Sequence, residues 1–324
     1  MCPACMASAA LVAGSVTTTG GFTALLVKLF RSRKDAPSAG ANLATRFKNA
    51  IEGEKIMATL TNNTELSKVV SPAEWLAARK DLLRKEKEFN RLRDELSRQR
   101  RALPWEKVEK KYVFDGPKGK ETLADLFAGR SQLIVYHFMF GPGWKEGCPS
   151  CSYLADGFDG NVVHLAHRDT TFAVISRATL SEIQAFQQRM GWRFKWLSSS
   201  GTDFNFDYQV SMSKDEAGKG KVYYNYELTD FPSEERPGAS VFYKNAAGEV
   251  FHTYSTYARG LDILLGTYNF LDMTPKGRDE GSLAHPMAWV RHHDKYEDGY
   301  VVDAKQLYVQ PAKAHDCCSE KERA

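Results

Sequence analysis

Residues 131–140, SQLIVYHFMF, form a near-continuous apolar run. It opens into the Gly- and Pro-rich loop GPGWKEG and then into Cys148-Pro149-Ser150-Cys151. An apolar run of this length bounded by turn residues is expected of a strand buried on both faces, and such a strand needs layers packed on either side. The chain is thereby confined to a layered α/β architecture. The loop emerges at the carboxyl edge of that strand, where open α/β sheets carry their reactive groups. Cys148 then falls at the start of a helix. Unpaired N–H groups and partial positive charge there favour a thiolate, and a lowered thiol pKa makes a cysteine nucleophilic at neutral pH. Cys151 lies one turn further on, in place to resolve a mixed disulfide, with Pro149 and Ser150 setting the pair's potential through geometry and hydrogen bonding. Two other readings stand beside this one. Half of a zinc site needs two more ligands, and none follows locally. Inert structural thiols fit poorly with so much Pro and Gly around them.

Downstream segments continue the layered pattern. KYVF at 111–114 is strand-like, DGPKGK is a turn, and TLADLFAG predicts a short helix ending at Gly129. TTFAVISR, residues 170–177, predicts a second buried strand, with a helical segment between the CxxC and its start. A helix over 178–190 closes at Gly191, RFKWLSS predicts a third strand, and residues 239–256 a hairpin turning at NAAG. GLDILLGTYNFLDM predicts a final helix. On this layout Ser176 and Arg177 end a strand parallel to the first and come near the dithiol. Pro237 precedes a strand that returns antiparallel to the same edge, where its missing N–H would leave backbone open to an extended substrate. Trp144, four residues before Cys148, would shield the sulfur. Trp144, Pro149, Arg177 and Pro237 are therefore the candidate substrate-contacting residues beside Cys148 and Cys151.

The chain has 324 residues, 43% of them hydrophobic, enough for a substantial core in one or two domains. Its formal net charge of +4 is too mild to point to nucleic acid. Its six cysteines all come in pairs: Cys2 with Cys5, Cys148 with Cys151, Cys317 with Cys318. That grouping favours dithiol or metal chemistry over a disulfide-dense secreted scaffold. Residues 1–34 read as a membrane anchor headed by a CxxC. Residues 7–27 are uncharged and span-length, and Lys28, Arg31, Arg33 and Lys34 mark the cytoplasmic flank; the alternative is a non-membrane extension. Residues 35–56 read as a linker, 57–110 as a helical arm, 111–310 as the main domain and 311–324 as a flexible tail. Within the arm, residues 72–102 predict one long helix. Ser71 and Glu74 form a capping box with Pro72 in the first turn, and Pro104 stops the helix. Leu82, Phe89, Leu96 and Leu103 recur every seven residues beside Leu76, Leu83 and Leu92. This stripe would pack on the domain or on a second subunit, which makes a homodimer through helix 72–102 one expectation. Acidic residues interleave its arginines without an aromatic platform, so no nucleic-acid partner is expected.

Four runs carry a resemblance: EWLAARKDLLRKEKEFNRLRDELSRQRRALPWEKVEKKYVFDGP, LIVYHFMFGPGWKEGCPSCSYLADGFDG, RMGWRFKWLSSSGTDFNFDYQVS and SVFYKNAAGEVFHTYSTYARGLDILLGTYNFLDMTPKGRDE. Over residues 57–310 the chain resembles an uncharacterised bacterial family of predicted dithiol–disulfide oxidoreductases with a thioredoxin-like fold. The resemblance implies that fold, a three-layer α/β arrangement, and Cys148 and Cys151 as the redox pair. It departs from thioredoxin itself, which has Trp directly before the first Cys where this chain has Gly147. The expected activity is thiol–disulfide exchange without a cofactor or metal, on a protein or small-molecule disulfide, with a separate electron donor. It would take place in the cytoplasm, tethered to the cytoplasmic membrane. Two other classes remain: a soft-metal (zinc, copper or mercury) thiolate protein using all three cysteine pairs, and a non-enzymatic thioredoxin-like interaction module. His292, His293 and Asp294 are read as a surface or interface cluster rather than a metal or acid–base site. His137 is read as a satisfied core histidine. The aromatic runs at 203–212 and 223–226 are read as packing first and pocket walls second.

Overall fold

The apolar run becomes the middle of an eight-stranded sheet. The computed structural model describes residues 67–218, 220–230 and 233–296. The expectations for the 7–27 span, the 35–56 linker, the 311–324 tail and Cys2, Cys5, Cys317 and Cys318 lie outside them. Among the described residues no helix is long and apolar enough to cross a membrane.

Strands β1 (Glu106–Lys107), β2 (Val113–Gly116), β3 (Gly119–Thr122), β4 (Gln132–His137), β5 (Thr170–Ser176), β6 (Trp196–Ser198), β9 (Gly238–Lys244) and β10 (Val250–Tyr257) lie in the order β1-β10-β9-β4-β5-β6-β2-β3. Strands β7 (Lys221–Tyr224) and β8 (Glu227–Asp230) make a separate ribbon. The pair β4 and β5 is parallel, as is β5 with β6; β9 runs antiparallel to β4, with Val135 opposite Ser240 and His137 opposite Gly238. Period-two alternation sends Tyr136, Phe138 and Val174 into one core and Leu133, Val135, Ala173 and Ile175 into the other. The first core is roofed by α2 (Pro149–Ala155), α3 (Asp159–Ala166), α4 (Leu180–Arg189) and α7 (Gly266–Leu271) through Leu154, Phe158, Ile183, Phe186 and Tyr268. The second is covered by the 3-10 turn Asp125–Phe127 and by α5 (Phe204–Asp207) through Leu126, Phe127 and Phe204. A single turn of helix, α6 (Lys214–Ala217), precedes the ribbon. The fold is mixed α/β, with the sheet as its middle layer.

Several elements differ in detail from the sequence expectation. The stretch after the CxxC is two helices, α2 and α3, separated at Asp156-Gly157-Phe158. The last predicted helix is a 3-10 stretch, Ala258–Leu264, followed by the six-residue α7. The hairpin β9–β10 forms with a bulge between His252 and Tyr254. The long helix, α1 (Pro72–Arg101), forms with both halves of its capping box in place: Ser71 N donates to Glu74 Oε2 at 3.0 Å and Glu74 N to Ser71 Oγ at 3.3 Å. Packing on the domain is corrected, however, because no residue of α1 is buried. Trp75, Leu82, Phe89 and Leu96 are 60%, 52%, 63% and 48% exposed. The domain touches the end of α1, where the Arg100 guanidinium lies 4.7 Å from the Tyr254 ring centre.

Candidate active site

Backbone bonds carry the chain past the end of β4 and fold it back on the sheet edge. Phe138 N donates to Ile175 O at 3.0 Å, Ala178 N to Phe140 O at 2.8 Å, and Cys148 N returns to Met139 O at 2.9 Å. Gly143, at φ +77, makes the sharp reversal that a side chain would strain. Cys148 caps α2 with Pro149 at its first position. At Gly147 a Cβ would lie 2.6 Å from Phe138 Cε1 and 2.8 Å from Phe186 Cε1. The residue before the first cysteine is therefore small because the aromatic core comes up directly beneath it. Gly147→Ala should cost about 1–3 kcal/mol through overpacking, read as a lower urea midpoint with unchanged slope.

The two thiols sit in different surroundings. Cys148 is half-buried and Cys151 is 2% exposed. The Cys148 thiol is brought down to about 7, first by the Cys151 S–H and then by the N–H groups of Cys151 and Ser150 and the Ser150 hydroxyl, with burial opposing. Burial pushes the Cys151 thiol well up, as does its interaction with Cys148. An ionised, reachable sulfur beside a protonated, enclosed one suits sequential attack and resolution. Among the described residues no group of three or more His, Cys, Asp or Glu side chains is placed to hold a metal ion.

The other predicted residues fall around this edge. Trp144 is half-buried and packs against the same core as Cys148. A Cβ at Gly141 would meet Trp144 Nε1 at 2.9 Å and Glu235 Cγ at 3.1 Å, so Glu235 stands against the same loop. Arg177 follows β5 and donates to Glu235 Oε1 at 2.8 Å, while its guanidinium stacks 4.4 Å from the Phe206 ring centre. Glu235 is 2% exposed and also accepts from Ser211 Oγ at 2.6 Å. Ser211 and Phe206 in turn line a cavity of about 370 Å³ with Gln209, Met212, Val222 and Tyr223. The aromatic runs thus supply both packing and part of a pocket wall. Pro237 does precede β9 at the edge, but its carbonyl accepts from Tyr224 Oη at 2.7 Å. The expectation of open backbone there is corrected, since that acceptor is engaged within the fold.

The histidine cluster is also corrected. His292 is 4% exposed, and its Nε2 donates to the Gly147 carbonyl at 2.8 Å. His293 donates to Asp156 Oδ1 at 2.7 Å, and that carboxylate holds the imidazole above its ordinary range. Glu146 accepts from Arg189 and Lys295, each at 2.6 Å. The segment around 292–295 is therefore a strap fastened over the loop that leads into Cys148, a role the adjacent histidines alone did not signal. His137 is fully buried; its Nε2 bonds Ser240 Oγ at 2.8 Å, while its Nδ1 has no hydrogen-bond partner among the described residues. It is a core histidine satisfied at one nitrogen, pushed down to about 3 by burial and by His252.

The model of a bacterial protein family of unknown function, DUF899, matches residues 64–296. The chain belongs to the DUF899 family. That family carries no assigned activity in its description, and no curated protein matches the chain. Similar solved structures include the peroxidoxin BcpB from Mycobacterium tuberculosis, at 13% identity and TM-score 0.34, covering 51% of this chain and 95% of that one. A cysteine-to-serine mutant of peroxiredoxin Q from Xanthomonas campestris stands at 13% identity and TM-score 0.36, covering 52% and 98%. A yeast mitochondrial 1-Cys peroxiredoxin stands at 14% and 0.31, covering 52% and 78%.

Proposed function

We propose that the protein is a thiol–disulfide oxidoreductase on a thioredoxin-like domain, with Cys148 as nucleophile and Cys151 as resolving thiol. The observation that carries this reading is the unequal pair: a half-buried sulfur with a lowered pKa, capping a helix at the end of a central strand, one turn from an enclosed thiol. The sheet order β5-β4-β9-β10, a parallel pair followed by an antiparallel hairpin, supports the thioredoxin-like assignment. Cys148 thiolate attacks a disulfide R–S–S–R′, forming Cys148–S–S–R and releasing R′–S⁻. Cys151 then attacks Cys148, closing the internal disulfide and releasing R–S⁻. Two electrons pass from the dithiol to the substrate, and an external thiol donor restores the pair. Pro149 directly follows Cys148, Trp144 packs on the same core, and Arg177, stacked on Phe206 of the cavity wall, is the group this reading assigns to the rest of a protein or small-molecule disulfide.

An insulin-reduction assay with dithiothreitol as donor tests this. Cys148→Ser is expected to abolish turnover. Cys151→Ser is expected to retain attack and to accumulate mixed disulfides on Cys148, visible by mass spectrometry. Turnover unaffected by either change overturns the reading, as does consumption of hydrogen peroxide without any disulfide exchange.

We also propose that the exposed stripe of α1 pairs with the same helix of a second copy. Trp75, Leu82, Phe89 and Leu96 recur every seven residues, a 3.5-residue period that pairs helices rather than covering a globular core. Sedimentation should give a dimer for the full chain and a monomer for Leu82→Glu with Phe89→Glu. A wild-type monomer at micromolar concentration overturns this.

A further inference from the structure

Resting on the redox reading above, we propose that His292 is a positioning residue for Cys148: its Nε2–H holds the Gly147 carbonyl, fixes the Gly147–Cys148 peptide and so aims the Cys148 sulfur at an incoming disulfide.

The backbone on both sides of Cys148 is pinned. Gly147 O accepts from His292 Nε2 at 2.8 Å, and Cys148 N donates to Met139 O at 2.9 Å, so one peptide plane is held at both of its ends. Beyond the cysteine, Cys148 O accepts from Ser152 N and from Ser152 Oγ, each at 2.9 Å. Peptide units are planar, so with both neighbours fixed the sulfur moves by rotation about its own Cα–Cβ bond. Met139 and Ser152 lie near Cys148 in the chain, whereas His292 comes from the strap. A carbonyl oxygen only accepts, so His292 carries its proton on Nε2. The ring is itself held in place. It stands edge-on to Phe186 with centroids 5.3 Å apart, its Nδ1 faces Glu146 Oε2 at 3.5 Å, and Lys295 N donates to His292 O at 2.8 Å.

The strap holds the other end of the redox helix as well. His293 Nδ1 donates to Asp156 Oδ1 at 2.7 Å, and Asp156 is the residue that caps the carboxyl end of α2. Consecutive histidines therefore grip the peptide entering α2 and the residue that ends it. Arg189 donates to Asp294 at 2.7 Å and to Glu146 at 2.6 Å, tying strap and loop to α4. These outer pairs are exposed, and each alone contributes little. The His292 bond is enclosed. Without it the Gly147 carbonyl is left unpaired, or the loop shifts until water reaches it. Either way the sulfur loses its fixed direction, and a displacement of about 1 Å at a reacting centre can slow a reaction about a hundredfold.

The test uses an aromatic disulfide, 5,5′-dithiobis(2-nitrobenzoate), in excess over the reduced full chain carrying Cys2→Ser, Cys5→Ser, Cys317→Ser and Cys318→Ser. The Cys148 thiolate attacks one sulfur and the aryl S–S bond breaks. Cys148 keeps one aryl thiol as a mixed disulfide, and the other leaves with the electron pair as a coloured thiolate. The rate of this first release is read about two pH units above the Cys148 midpoint of about 7, where the sulfur is ionised and the rate reports its aim. His292→Leu removes the donor and keeps an apolar side chain in its place; the release should slow about tenfold. His292→Gln brings an amide N–H to the same carbonyl and should stay within about threefold of wild type. Val250→Ala loosens the opposite core and should stay within about twofold, which separates aim from stability. Where His292→Leu does not fold, His293→Ala with Lys295→Ala unfastens the strap from its exposed side and should slow the release about threefold. A wild-type rate in His292→Leu, or in that double variant where it stands in, overturns the proposal, as does a His292→Gln as slow as His292→Leu. A wild type that reacts no faster than an ordinary free thiol overturns the redox reading itself, and this inference with it.

Discussion

Alkylation of Cys148 by iodoacetamide is expected to rise with pH along a one-proton curve with its midpoint at about 7. The thiolate is the reacting species, so below the midpoint the rate should fall about tenfold per pH unit. The cause is local: the Cys151 S–H, two N–H groups and the Ser150 hydroxyl all favour the charged sulfur, against a smaller penalty from burial. Cys151→Ala removes the first of these. A hydrogen bond to a charged group is worth about 1.5–3 kcal/mol, so the midpoint should climb by roughly one to two units. The same shift appears in stability. A thiol whose folded pKa lies below its unfolded value of about 8.5 adds stability that is full above 8.5 and lost as pH falls through about 7. Reduced wild type should therefore gain in melting temperature over Cys148→Ala between those two values and not below them. An alkylation midpoint at the ordinary thiol value would remove the activated nucleophile.

The parts of this architecture that a sequence can encode locally were legible. Apolar residues 131–140, the Gly/Pro loop and the two cysteines fix a buried strand, an edge loop and a capped helix by short-range rules alone, and the Ser71–Glu74 box fixes where α1 begins. The resemblance over 57–310 reached an uncharacterised bacterial family, and a bacterial family of unknown function matches residues 64–296; the oxidoreductase activity that the resemblance implied belongs to the proposal. The break between α2 and α3 was less legible, because Asp156 and Gly157 read as tolerable helix residues while tertiary contact decides. Trp192 Nε1 and His293 both bond Asp156 Oδ1 and hold that end of α2. Long-range partners left the weakest trace. His292 reaches Gly147 across 145 positions, and Glu235 meets Arg177 across 58. Neither pairing has a periodicity or a spacing that announces it. Tyr136 is the opposite case: period two from Phe138 already aims it at the core beneath the CxxC.

Arg177→Ala should be among the most damaging single changes in the domain, at about 3–5 kcal/mol near neutral pH. Glu235 is 2% exposed, and burial holds its carboxyl above the ordinary carboxylate range even with Arg177 and Ser211 bonded to it. Removing Arg177 leaves that carboxylate enclosed with a hydroxyl as its remaining side-chain partner. The sign follows from the direction of the shift. A carboxyl whose folded pKa lies above its unfolded value supports the fold while protonated, and that support is lost as pH rises through the folded pKa. In Arg177→Ala the folded value rises further, so the deficit against wild type should be small at pH 5 and grow toward pH 8. Glu235→Gln keeps an acceptor for Ser211 and removes the charge, so the double variant should recover much of the loss and flatten its pH dependence. Because Glu235 also lies against Gly141 in the loop that carries Trp144 to Cys148, the same variant should slow disulfide attack without moving the Cys148 alkylation midpoint. Urea titrations of the two variants at pH 5 and pH 8 decide this; a pH-independent deficit in Arg177→Ala would show that Arg177 acts through its packing on Phe206 and not through the buried charge.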